Sequence, residues 1–500
     1  MDALAPDADR QSGAVRPKLI DFGPVFQVLG LLLSTLGCAM MVPAIVDLSL
    51  GSSDWIVFVS SALVTLFFGV SMWATTRGAG KNLSLRQAFI LTNLAWAVIA
   101  LFGALPLRWS ELGLSFADAY FESMSGLTTT GSTVIVGLDG APPGVLLWRG
   151  ILQWLGGLGI VVMAIAVMPM LQVGGMQLFR VEAFYTSEKI LPRATQISGN
   201  MTMLYIVFTA LCAIAYDLAG MSFFDAVIHA MTTISTGGYS THDASMGYFD
   251  SAAIDLISVL FMIIGSLPFI LFLKTLSGAR GALFQDSQVR VFLITLFVLV
   301  ALTSISHIII NDDDPVFTVR HTLFNLTSII TGTGYGTLDH HDWGAFSIAF
   351  FFIAMFSGGC AGSTSCGIKI FRLQVVFENL RQHLKRILYP NGIFPKLYNG
   401  QPLSDSVVAA VMTFLFLYFL SVIIVGSLLQ LTGLDPLTAF SAAATAVSNV
   451  GPGAGPMVGP DGNFSGLTDT AKWLLSFAML LGRLELLTVL VLFMPRFWMR

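Results

Sequence analysis

Charge is scarce in this sequence: Asp, Glu, Lys and Arg make up 11% of its 500 residues, against 55% hydrophobic residues. Length alone would suggest three or more soluble domains, but that expectation fails where apolar stretches are long enough to span a bilayer. Cysteine is scarcer still. Cys38, Cys212, Cys360 and Cys366 all lie in or beside apolar stretches, which excludes a disulfide framework and metal-finger spacing and reads them as small apolar fillers. Enzyme signatures are lacking too: there is no HExxH or nucleophile motif, and His340 and His341, between Asp339 and Asp342, read as a solvated turn. The longest polar stretch, from about Arg372 to Asp405, holds no GxGxxG, so the chain is expected to carry no cofactor of its own and to take no nucleic acid as partner.

Long uncharged runs are what the sequence has in their place. They extend over Phe22–Val46, Trp55–Thr76, Gln87–Leu107, Gly150–Phe179, Ala194–Tyr216, Leu256–Leu273, Val291–Asn311, Trp343–Ile368 and Ser406–Leu434. A tenth, Trp473–Pro495, is interrupted by Arg483 and Glu485. Each is long enough to cross a hydrocarbon core of roughly 30 Å as a helix. The first lacks a small-residue cleavage pattern and is read as a retained span rather than a signal peptide. With the spans alternating sides, the basic residues gather on one: Arg10, Arg16, Lys18, Arg77, Lys81, Arg86, Arg180, Lys189, Arg193, Lys274, Arg280, Arg290, Arg372, Arg381, Lys385, Arg386, Lys396, Arg496 and Arg500. That side is expected to be cytoplasmic, with both termini. Arg108, Arg149, Arg320 and Lys472 fall on the other side, each beside the end of a span. That outer side also carries Asp47, Asp54, Glu111, Asp139, Asp243, Asp250, Asp312, Asp313, Asp314 and Asp461, an acidic face that concentrates cations.

This topology requires the stretches around Thr130, Gly237, Thr333 and Val450 to dip into the membrane and return. Such backbone is tolerated only where protein buries it or it lines a watery cavity. Aligned on Gly131, Gly238, Gly334 and Gly451, the four read SGLTTTGS, TTISTGGY, SIITGTGY and TAVSNVGP, at spacings of 107, 96 and 117 residues. Six positions before the glycine stand Ser125, Thr232, Ser328 and Thr445; four before, Leu127, Ile234, Ile330 and Val447; three before, Thr128, Ser235, Thr331 and Ser448. Hydroxyl, aliphatic and hydroxyl recur in every copy, so a span, loop, span unit is repeated four times. The expected fold is an all-α polytopic membrane protein. Its parts are residues 1–80 with two peripheral spans, then repeats over 81–180, 181–280, 281–395 and 396–500.

Four loops around one axis can offer rings of backbone carbonyls in place of an ion's hydration shell, and glycine accepts the positive φ that turns successive carbonyls to one side. TGTGYG, around Gly334 with Tyr335 anchoring the loop from behind, is similar to the TVGYG filter of potassium channels. The absence of an acidic ring favours a monovalent cation. With the runs WRGILQWLGGLGI (Trp148–Ile160), SGGCAGSTSCGIKIFR (Ser357–Arg372) and GRLELLTVLVLF (Gly482–Phe493) and the two extra N-terminal spans, the chain resembles a Trk-type, TrkH-like potassium-transport subunit of the Trk/Ktr/HKT superfamily.

The resemblance covers nearly the whole chain and implies potassium uptake across the cytoplasmic (inner) membrane. Potassium would bind at a selectivity filter of Thr128, Thr129, Thr130 and Gly131; Ser235, Thr236, Gly237 and Gly238; Thr331, Gly332, Thr333 and Gly334; and Ser448, Asn449, Val450 and Gly451. The fourth loop departs most from the pattern, with Asn449 and Val450 before Gly451 and Pro452 after it. Serine at the first-loop glycine is associated with sodium passage in related plant transporters, so Gly131 resembles the potassium-preferring type. The resemblance further implies a homodimer, and a TrkA-like cytosolic regulatory protein that holds the nucleotide (ATP, ADP or NAD).

Two features lie below the filter. The run SGGCAGSTSCG, Ser357–Gly367, interrupts a span with residues that disfavour a helix. It reads as a gating loop carrying Gly358, Gly359, Gly362, Ser363 and Gly367, with a packing kink as the other reading. Lys369 either snorkels to the interface or helps to hold that loop. Arg483 falls near mid-membrane, where it costs roughly 2.5 to 3.5 kcal/mol. It is read as an electrostatic barrier facing the pathway and touching the gating loop, or as the partner of a carboxylate on another helix; Glu485, two positions on, faces elsewhere. A sodium-permeable or cation-coupled secondary transporter is the alternative function, and two inverted halves would be its mark.

Overall fold

The computed structural model describes residues 20–78, 83–166, 190–279, 281–311, 313–338, 343, 345–455, 457–459 and 462–499. The turn Asp339–Asp342, the end of the span expected to run to Phe179, and Arg10, Arg16, Lys18, Lys81, Arg180, Lys189, Arg280, Asp312, Asp461 and Arg500 lie outside the described residues.

Two helices, α1 (Gly23–Leu50) and α2 (Trp55–Thr75), pack on each other through small residues, with the Gly30 backbone close to that of Gly69 and Trp73. Asp47 of α1 accepts a hydrogen bond from Gly144 N at 2.6 Å, which fixes the pair to the side of the first repeat. The first repeat comprises α3 (Leu85–Trp109), α4 (Phe116–Leu127) and α5 (Pro143–Ala166). The second comprises α6 (Ile190–Leu218), α7 (Phe223–Ile234), α8 (Ala252–Ser266) and α9 (Phe269–Leu276). The third comprises α10 (Ser287–Asn311), α11 (Pro315–Thr331), α12 (Ala345–Ala354) and α13 (Ile370–Leu388), and the fourth α14 (Asp405–Gln430), α15 (Pro436–Ser448), α16 (Asp469–Arg483) and α17 (Leu487–Leu490). Among the described residues seven helices are long and apolar enough to cross a membrane, or up to nine if each bent pair is one span. Their outward sides leave large apolar residues uncovered, Phe297 and Ile309 of α10 among them, as lipid-facing helices do.

The short helices α4, α7, α11 and α15 start on a side-chain cap. Ser115, Ser222, Asp314 and Asp435 each accept from the backbone N–H three residues on, satisfying a donor that the membrane could not. Asp118 and Asp225, thirteen residues before their glycines, close back on those serines as capping acids. In the third copy the helix starts earlier, and His321 bonds Thr337 across the loop instead, at 2.9 Å. At 12 residues, α4 and α7 are about 18 Å long, too short to cross.

Two expected spans are not single helices. Leu256–Leu273 breaks at Leu267 and Pro268, where α8 and α9 meet at 91°. Trp473–Pro495 breaks after Arg483, the two parts bent by 107°. No glycine or proline makes the second bend; Glu485 and Leu486 themselves take positive φ, 61° and 46°, a costly conformation for such residues. Trp343–Ile368 is interrupted as its composition suggests, α12 ending at Ala354. Beyond α13 the chain makes a small antiparallel hairpin, Leu397–Tyr398 with Gln401–Pro402, turned by Asn399 and Gly400 with both φ positive.

Candidate ion pathway

Each short helix ends in a turn of the same construction. The N–H one position before the aligned glycine donates to the carbonyl six positions before it: Thr130 to Ser125 at 2.8 Å, Gly237 to Thr232 at 2.8 Å, Thr333 to Ser328 at 2.8 Å and Val450 to Thr445 at 3.1 Å. Two residues in every turn are left-handed, the glycine (φ 87°, 78°, 85° and 112°) and the residue two before it: Thr129, Thr236, Gly332 and Asn449 (φ 52°, 50°, 74° and 53°). The recurrent hydroxyls tie the turns internally. Ser125 Oγ donates to Ser132 O at 2.6 Å and Ser328 Oγ to Tyr335 O at 2.8 Å, while Gly451 N donates to Thr445 Oγ1 at 2.9 Å.

The four turns meet. A side chain on Gly131 would run into the Gly237 carbonyl, one on Gly238 into that of Thr333, one on Gly334 into that of Val450, and one on Gly451 into that of Thr130. The cycle closes from loop 1 to loop 4 and back to loop 1. Glycine is favoured at all four positions on two grounds, the positive φ and the neighbouring carbonyl. Adjacent loops are bonded to each other as well. Asn449 Nδ2 donates to Thr130 Oγ1 at 2.8 Å and Ser132 Oγ to Gly451 O at 2.8 Å. Tyr335 anchors loop 3 from behind: its hydroxyl lies 2.5 Å from Thr232 Oγ1 and donates to His229 O at 3.1 Å. Thr128, Thr331, Ser235 and Ser448 are buried beside the turns, and Thr128 and Thr331 share hydroxyl contacts with Thr130 and Thr333.

An open cleft lies on the acidic-loop side, lined by all four aligned glycines together with His242 and Asp243. There His242 Nδ1 is 2.5 Å from Asp139 and stacks on Tyr248. That hydrogen bond, ahead of any other cause, holds the Asp139 carboxyl below its ordinary value.

On the opposite side Ser357–Gly367 packs directly against the turns. Thr364 Oγ1 donates to Ile234 O at 3.0 Å and lies 3.2 Å from Thr236 Oγ1, and Cys366 Sγ is 3.9 Å from Thr129 Oγ1. This run also completes the broken second return helix: Cys360 N donates to Ser266 O, Thr364 N to Gly265 O and Phe269 N to Gly362 O, all between 3.0 and 3.1 Å. The carbonyls orphaned by the bend thus find partners at membrane depth. Within the run, Gly358 N bonds Ile368 O and Gly359 N bonds Ser365 Oγ, while Gly362 and Gly367 supply positive φ and Ser363 Oγ donates to Cys360 O. Lys369 does not reach an interface; it is buried and donates to Ser365 O.

Arg483 is buried at the end of α16. It donates to Thr364 O at 3.3 Å, to Cys366 Sγ and, on α5 of the first repeat, to Gly156 O at 3.1 Å, and its Nε has no partner. No carboxylate among the described residues pairs with it. Cys366 is therefore more than an apolar filler, since it accepts from an arginine. Glu485 pairs with Arg372 of α13, whose guanidinium lies 3.7 Å from the Phe414 ring centre. These groups, with Lys369, line a second, narrow cavity.

Some site residues gave little signal in the sequence. Arg149 stands inside α5, not beside its end, in a buried ion pair with Glu122 of α4 at 2.8 Å. Gln153, one turn on, donates to Gly237 O at 2.6 Å. An acid inside a loop helix, and an arginine and a glutamine four residues apart, were the available signals. Arg320 and Lys472, likewise expected beside span ends, pair with Asp255 at 2.7 Å and Asp118 at 2.6 Å.

Residues 56–499 match the TrkH family, described as cation transport protein. The Trk system potassium uptake protein TrkI of Halomonas elongata is 44% identical over 480 residues, 95% of this chain and 97% of that one. The Trk system potassium uptake protein TrkH of Escherichia coli K12 is 36% identical over 482 residues, 95% and 99% of the two chains. The crystal structure of the potassium transporter TrkH from Vibrio parahaemolyticus is similar with a TM-score of 0.89 and 37% identity, over 96% of this chain and 100% of that one. Four meeting turns, an inserted run beneath them and these relatives agree: the chain belongs to the TrkH family of cation transport proteins.

Proposed function

We propose that the chain takes up potassium across the cytoplasmic membrane through a channel-like pore whose filter is made by the four turns. The observation that carries this reading is the closed cycle in which each aligned glycine abuts the carbonyl of the next loop. An alkali cation shedding water there exchanges it for carbonyl oxygens, and neutral oxygens without an acidic ring suit a monovalent ion. The cation enters from the acidic-loop side, taken as outside because the basic segments lie opposite. Its relatives are named as potassium uptake proteins.

Below the filter, Ser357–Gly367 acts as the gate, with Lys369 holding its end and Arg483 placing a positive charge against it. The gate opens when the run withdraws and takes with it the partners of the bent α8–α9 backbone. A TrkA-like cytosolic protein binds nucleotide, docks on the basic face and drives that movement, and the pore subunit works as a homodimer. Rubidium uptake into liposomes tests the proposal. Uptake driven by the rubidium gradient alone, blocked by potassium and not by sodium, is expected. Equal block by sodium supports a sodium-permeable pore, and dependence on an imposed proton or sodium gradient supports a coupled transporter.

A further inference from the structure

Among the described residues, one of the four carbonyls in the cycle has a protein donor. Gln153 Nε2 donates to Gly237 O at 2.6 Å, whereas the carbonyls of Thr130, Thr333 and Val450 accept no hydrogen bond. The same amide accepts from Tyr239 N at 3.0 Å, so Gln153 splints loop 2 on both sides of Gly238. One turn earlier on the same face of α5, Arg149 donates to Ser240 O at 2.8 Å and lies 4.0 Å from the Tyr239 ring centre. Its ion pair with Glu122 carries the connection into loop 1, because Glu122 also accepts from Val134 N at 2.9 Å and from Thr133 Oγ1 at 3.0 Å. The Tyr239 hydroxyl closes the network on Glu122 O at 2.8 Å. Apart from the half-buried Thr133, the side chains of this network are buried, and loops 3 and 4 have no ion pair of this kind among the described residues.

We propose that Gln153, supported by Arg149 and Glu122, is a positioning residue for cation selectivity: it fixes loop 2 at a width that favours the larger alkali cation. The inference rests on the four-loop filter reading given above. A carbonyl oxygen has two lone pairs, so Gly237 can accept from Gln153 and still face a cation. Anchored from behind, it cannot swing inward to follow a smaller ion. The amide hydrogen beside it also offsets part of its negative potential, and a weaker field favours the ion that holds its water less tightly. Width and field thus act in the same direction, whichever of the two dominates in such filters. Arg149 and Glu122 hold the adjacent Tyr239 and Ser240, so that the splint has a fixed base.

The test is the ratio of rubidium to sodium uptake in liposomes, measured per monodisperse protein, for the unaltered chain, Gln153→Met, Gln153→Asn and Gly131→Ser. Gln153→Met removes both hydrogen bonds at similar bulk. Gln153→Asn keeps an amide too short to span both partners, and it gives the answer if the methionine variant does not fold. The ratio is expected to fall about three- to tenfold in the Gln153 variants, as the loss of one or two neutral hydrogen bonds from one state implies. A merely structural glutamine would lower yield or thermal stability and leave the ratio per folded protein unchanged. An unchanged ratio in the Gln153 variants, with a lowered ratio in Gly131→Ser, overturns the inference and leaves the filter reading standing. An unchanged ratio in Gly131→Ser as well overturns both.

Discussion

In the proposed pore Arg483 lies below the four turns on the cation's path, and it is held by carbonyls and a sulfur instead of a carboxylate. Its charge is thus not cancelled locally. Taking an effective dielectric of about 20 and a separation of roughly 10 Å, two unit charges repel by about 1.7 kcal/mol, enough for a tenfold effect on rate. Arg483→Ala is therefore expected to raise rubidium flux roughly tenfold at fixed driving force, and single-channel or flux measurement in liposomes checks it. Unchanged flux and gating would remove the barrier role. Glu122 is the opposite case, a charge fully compensated by Arg149. Glu122→Gln leaves that arginine buried without its partner and is expected to cost about 3–5 kcal/mol of stability, read from unfolding in detergent. At the surface, Asp139 is held below its ordinary value by His242. A carboxylate lowered in the folded state adds stability above its unfolded value, 3.8, and loses it as pH falls through the folded value. The thermal stability advantage over Asp139→Asn should persist from neutral pH down to about pH 4 and shrink below it. Because the pair is partly exposed it amounts to less than about 1 kcal/mol.

At the scale of elements, the inserted run and the bent return helix are one unit, since the hydrogen bonds orphaned by the bend at Pro268 end on Cys360, Gly362 and Thr364. Gly358 shows how little room the unit leaves, for a side chain there would meet the Cys366 carbonyl. Gly358→Ala is expected to displace the run at a cost on the order of 1–3 kcal/mol and to raise basal flux in the absence of any partner, which thermal unfolding and rubidium uptake would report together. The break at Pro268 had a sequence cue that an apolar count passes over. The bend at Glu485 had none, because it is made by non-glycine residues forced into left-handed φ and held by the contact between Glu485 and Arg372, which are far apart in sequence.

At the scale of the whole molecule, the fourfold repeat was legible because its glycine recurs in all four copies, and a recurring position sets the register for everything around it. The hydroxyl six positions before it could be aligned in consequence, and that residue's carbonyl accepts the bond that closes each turn. The second left-handed position was not legible. Thr129 and Thr236 are β-branched residues that avoid such φ, and tertiary contact imposes it on them. The Glu122–Arg149 pair was hidden for a different reason. Arg149 alone reads as a charge beside the end of a span, and only the packing of α5 against α4 within the first repeat brings it to Glu122. All of this converges on one place, the proposed filter between the carbonyls of Thr130, Gly237, Thr333 and Val450. Anomalous diffraction from crystals grown in rubidium tests it most directly. The account predicts a rubidium peak within coordination distance of those four oxygens; a map with rubidium bound elsewhere in the protein and none between the four turns would contradict it.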